Sequence, residues 1–162
     1  MRSIRMTMAW SVGTMIMTLV HHVYGAIIYD EPFRLHVAVF SIPVLIVLVT
    51  TYVGYMRVPN CFFKNILFVV FVVVSVLFSV VAIGFYEGGY NHVVKNILYF
   101  GGISIDILDK IYPSVYELPN DLFFELTGIA QFVTGLVCGL EILQLPIRRS
   151  FELLNDPSRR KS

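Results

Sequence analysis

Charge is scarce in this chain. Only 14% of its 162 residues are Asp, Glu, Lys or Arg, against about 25% in an ordinary soluble domain. With 57% hydrophobic residues and a mean hydropathy of +0.76, there is too little polar surface to cover a soluble protein of this size. The shortage excludes a disordered chain and, with a net charge of only +1, a nucleic-acid-binding domain. Cysteine is scarcer still. Cys61 and Cys138 stand alone without a CxxC, which excludes a disulfide framework and a dithiol redox centre. HExxH, histidine boxes and CxxCH are missing too, so no metalloprotease, desaturase-type or attached-heme signature is written into the chain.

Long apolar runs are what the chain does have. A bilayer core about 30 Å thick takes about 20 helical residues at about 1.5 Å each. Residues 6–29, 35–56 and 65–86 carry no charge at all. Residues 122–147 form a fourth run, marked near its ends by Glu125 and Glu141. Backbone groups cannot go unpaired in lipid, so even the valine-rich FVVFVVVSVLFSVV reads as helix. Arg2 and Arg5 before the first run mimic a signal peptide, but the run is too long and no small-x-small site follows it, so it reads as an uncleaved helix. The expected fold is an all-α integral membrane protein of one domain, residues 1–162. It is a four-transmembrane-helix bundle with a loop over residues 87–121 and a basic tail over 148–162. Within that loop, residues 93–111 are broken by charges and by Gly101-Gly102 and read as a short interfacial helical segment.

The basic residues sort by side. Arg2, Arg5, Arg57, Lys64, Arg148, Arg149, Arg159, Arg160 and Lys161 fall on one side; Arg34, Lys95 and Lys110 fall on the other. Positive loops stay inside, so both termini are expected in the cytoplasm. Thr7, Ser11, Thr14, Thr18, His21 and Gly25 recur at intervals of four and three and share one stripe of the first helix. Ser75, Ser79 and Ala82 on the third helix, and Gly128, Gly135 and Gly139 on the fourth, are the matching small-residue faces that helices use to pack in membranes.

All four histidines lie toward the outer side. His21 and His22 sit within the first helix and His36 opens the second. Glu87 closes the third, His92 follows a GGY turn, and Glu125 opens the fourth. Ionisable groups inside a membrane are costly and mark functional sites. Imidazole with carboxylate is a donor set for Zn, Fe or Cu, and a bis-histidine heme between His21 or His22 and His36 is a variant. The expected function is therefore a polytopic membrane protein with an outward His/Glu metal or heme site, redox or hydrolytic. Two alternatives stand beside it: a non-catalytic subunit of a larger membrane complex, and a proton-coupled transporter. Its expected partners are the lipid bilayer and other membrane subunits or further copies of itself, with no nucleic acid.

Overall fold

The computed structural model describes residues 2–59, 61–112 and 117–154, with the side chains of residues 2, 3, 61 and 146–154 outside the description. Residues 155–162 of the expected tail, Pro113, Tyr116 and the side chain of Cys61 thus lie outside it. Every regular element described is helical: α1 (Arg2–Ile28), a 3-10 turn (Pro32–Arg34), α2 (Leu35–Arg57), α3 (Cys61–Val74), a π-wound stretch (Ser75–Val94), α4 (Lys95–Phe100), α5 (Ile105–Ile111) and α6 (Leu122–Leu154). Four helices, over Ile4–Ile28, Pro32–Arg57, Phe62–Phe100 and Leu122–Leu145, are long and apolar enough to cross a membrane. α1 packs against α2, α6 and the π-wound stretch; α6 also packs along that stretch, and α2 lies on α3.

The third helix is longer than the hydropathy pattern implies. α3, the π-wound stretch and α4 run on without a break to Phe100, so EGGYNH is helix, and the loop begins at Gly101 rather than at Glu87. Gly88 and Gly89 are contact glycines. A Cβ on Gly88 would strike the Phe132 amide nitrogen and the Gly128 carbonyl, and one on Gly84 would meet the Gly135 Cα at 2.9 Å. The break comes instead at Gly101-Gly102, where Gly102 takes φ +83°, a backbone region glycine occupies without strain.

Winding with i→i+5 bonds takes more residues per turn than the 3.6 of an α-helix. The buried face therefore recurs at Ser75, Ser79, Ile83–Gly84, Gly88 and His92. Ala82, expected beside Ser75 and Ser79, is only half-buried and yields its place to Ile83 and Gly84. On α1 the expected stripe holds in full: Thr7, Ser11, Thr14, Thr18 and His21 are all completely buried.

α6 starts from a built cap. Asp121 Oδ1 accepts the Phe124 backbone N–H at 2.7 Å, and its Oδ2 accepts the Tyr24 hydroxyl at 3.1 Å. Asp121→Ala is expected to cost about 1 kcal/mol, read as a lower melting temperature in detergent, whereas Asp121→Asn retains most of the stability. Equal melting of the two variants would show the cap to be idle.

Candidate functional site

The close approach of three helices at the hairpin end, opposite the chain termini, builds the site. Adjacent His21 and His22 enter from α1, Glu87 and His92 from the π-wound stretch, and Glu125 from the first turn of α6. Glycine makes room: a Cβ on Gly128 would strike the Cγ, Cδ2 and Nδ1 atoms of the His92 ring.

The donor atoms converge. His21 Nε2 stands 3.2 Å from His92 Nε2. Glu87 Oε1 lies 3.6 Å from His22 Nε2, 3.8 Å from His21 Nε2 and 3.9 Å from His92 Nε2. Tetrahedral ligands at about 2.0–2.1 Å from an ion sit about 3.3 Å apart, so all these separations lie close to those of a shared first shell. One ligand atom from each of His21, His22 and Glu87 lies within 4.8 Å of the others.

The far sides of the rings are held. Thr127 spends its hydroxyl hydrogen on the Phe123 or Phe124 carbonyl, at 2.9 Å in each case. Its oxygen is then free to accept from His21 Nδ1 at 2.9 Å. Glu125 Oε2 accepts from His92 Nδ1 at 2.8 Å and from the Asn96 amide at 2.5 Å; its Oε1 takes Lys95 Nζ at 3.3 Å. Lys95 also donates to the Glu117 carbonyl at 2.6 Å, and Asn91 donates to Glu87 Oε2 at 2.8 Å. With both Nδ1 atoms protonated, the lone pairs of His21 and His92 are on Nε2 and face each other. His22, 5% exposed, has no hydrogen-bond partner on either ring nitrogen.

Aromatic groups roof the cluster. Phe124 stacks on His21 with centroids 4.0 Å apart, and the Arg34 guanidinium lies 5.4 Å from the Phe124 centroid while pairing with Glu31 at 2.6 Å. Above them the Tyr29 hydroxyl donates to Asn120 at 2.7 Å. A cavity of about 470 Å³ lies beside Glu125, lined also by Asn96, Phe100, Asp121, Leu126 and Ile129.

Five of the six expected residues thus meet. His36 does not: it is exposed, and its Nδ1 bonds the Phe33 carbonyl. Two residues before buried Ala38 is about 200° around a helix, which turns His36 off the bundle face. Lys95, Asn91, Asn96 and Thr127 were not foreseen as site residues. Lys95 reads in the sequence as a loop charge, yet it is 3% exposed. The spacings Glu87–Asn91–Lys95 and His92–Asn96, each of four residues, were the available signal. Comparison of the chain with family models, curated proteins and solved structures finds no match.

Proposed function

We propose that the chain is a polytopic membrane protein holding one transition-metal ion on the Nε2 atoms of His21, His22 and His92, with Glu87 as a fourth, exchangeable ligand. The observation that carries this reading is the 3.2 Å approach of the His21 and His92 Nε2 atoms, given that both Nδ1 atoms donate elsewhere. Two lone pairs facing each other in a buried site repel unless a cation lies between them. Glu125 behind His92 is the carboxylate support that metal-binding imidazoles use, and the unsatisfied His22 ring supplies a further donor.

Three imidazoles and a carboxylate suit Zn, Fe or Cu. The Glu87 side chain is 17% exposed, more than any other member of the set, so water can replace it. That leaves three imidazoles and an open position, the arrangement with which a bound ion activates water or a small molecule. Heme fits less well, because the donors converge on a point rather than flanking a plane, and His36 is turned away. In a bilayer the basic bias directs both termini inward, puts the centre toward the outer leaflet and lays α5 in the interface.

A shared proton between His21 and His92 would satisfy the same pair without a metal and is the second reading. Metal analysis separates the two. Protein purified in mild detergent without chelator is expected to carry about one ion per chain, and the His21→Ala/His22→Ala double variant almost none. A visible spectrum then distinguishes coloured Cu or Fe from silent Zn. Folded wild-type protein free of metal overturns the metal reading, and a Soret band replaces the ion with heme.

A further inference from the structure

Beneath the histidines the core of the bundle is polar. Thr18, Thr14, Ser11 and Thr7 descend along α1, faced by Gln131 and Cys138 from α6 and by Ser79 and Ser75 from the π-wound stretch, and all eight are completely buried. The contacts cross between helices: Ser11 Oγ lies 3.1 Å from Cys138 Sγ, and Ser79 Oγ donates to the Ser11 carbonyl at 3.3 Å. From Thr7 to His21 the column rises about 21 Å at about 1.5 Å per residue, most of a bilayer core about 30 Å thick. Each end meets a carboxylate with some exposure, Glu87 above and Glu141, one turn past Cys138, below. Ile4 and Leu145, both buried, close the bundle beneath.

Packing alone accounts for the hydroxyls of Thr14 and Thr18, which bond back to their own helix at 2.9 Å. It does not account for Gln131. This residue lies one turn past Thr127 and one turn before Gly135, on the α6 face that reaches His21 and Ser11. Both its amide oxygen and its amide nitrogen are buried without a partner, and so is Ser75 Oγ. Buried polar atoms of this kind are ordinarily satisfied by internal water.

We propose that this column holds internal water and conducts protons along its length, from the level of Glu141 to the level of His21. The inference stands on Gln131 and the burial pattern and does not require a metal on the histidines. A proton suits the column better than a metal ion does. No carboxylate lies between Thr7 and Thr18 or between Gln131 and Cys138, so an unshared ionic charge would be costly there. The backbone contacts at Gly84, Gly135 and Gly88 leave no width for a hydrated ion. Hydroxyl and water can instead pass a proton by rotation and exchange.

The full chain, reconstituted in liposomes with an entrapped pH-sensitive dye and with the potential clamped by potassium and valinomycin, tests the proposal. An imposed pH step should decay several-fold faster than in protein-free vesicles. Gln131→Met and the nearly isosteric Thr18→Val should return the decay toward the protein-free rate. Metal per chain, measured on the same preparations, should not change in either variant. Wild-type decay equal to that of empty vesicles overturns the conduit, as does wild-type decay in a folded Thr18→Val together with a folded Gln131→Met. Flux without metal removes the metal reading and leaves the conduit; metal without flux does the reverse.

Discussion

If the proposed ion is held, Glu125→Gln is expected to lower metal affinity about 10- to 100-fold, although no atom facing the ion is removed. Glu125 accepts the His92 Nδ1 proton at 2.8 Å, which fixes the tautomer and keeps Nε2 basic. A neutral amide holds that proton more weakly and can present its own N–H to the ring. The substitution has a second consequence. Lys95, 3% exposed, keeps the Glu117 carbonyl but loses its anionic partner, and an uncompensated buried charge costs roughly 3–5 kcal/mol. The Glu125→Gln/Lys95→Met double variant should therefore be more stable than Glu125→Gln alone while still binding metal weakly. Competition with a chelator of known affinity reads the first effect, and thermal denaturation in detergent reads the second. His36→Ala should leave both unchanged. Metal affinity in Glu125→Gln within twofold of wild type would remove Glu125 from the support of the centre.

Gly128→Ala is expected both to destabilise the bundle and, on the proposed metal reading, to empty the centre. The new Cβ would overlap Cγ, Cδ2 and Nδ1 of His92, a ring 2% exposed, bonded to Glu125 on one side and closed in by His21 on the other. It has nowhere to swing, so α6 must draw away from the third helix. Overpacking of this kind costs about 1–3 kcal/mol, and the displaced Nε2 leaves the donor set. Gly13→Ala is the matched control. Nothing lies within 4 Å of its Cβ, and removing a mid-helix glycine stabilises by up to about 1 kcal/mol. Melting temperature and metal content should fall together in the first variant and hold or rise in the second. Wild-type metal binding by Gly128→Ala would mean that His92 is not where the ion is held.

Hydropathy alone settled the number of long helices, because an apolar run is matched to bilayer thickness residue by residue, with no reference to neighbours. Helical periodicity alone picked the stripe from Thr7 to His21, since α1 winds regularly and its inward face repeats as an ideal helix predicts. Hydropathy also marked His21, His22, His36, Glu87, His92 and Glu125 as ionisable groups gathered toward one side. Three things lay beyond it. EGGY reads as a turn because isolated glycine breaks helices, yet between touching helices the lack of a Cβ is what permits contact, and here it carries the third helix on to Phe100. The π winding moves the inward face from Ala82 to Ile83 and Gly84, a shift that depends on which hydrogen bonds close. His36 and Lys95 exchange roles for a related reason. The rotation of α2 turns an imidazole out, and the extension of the third helix brings an ammonium in against Glu125. Sequence determined which residues could not rest in lipid; only the lateral packing of the helices decided which of them meet, because contact between distant segments depends on rotation and winding that no run of hydropathy records.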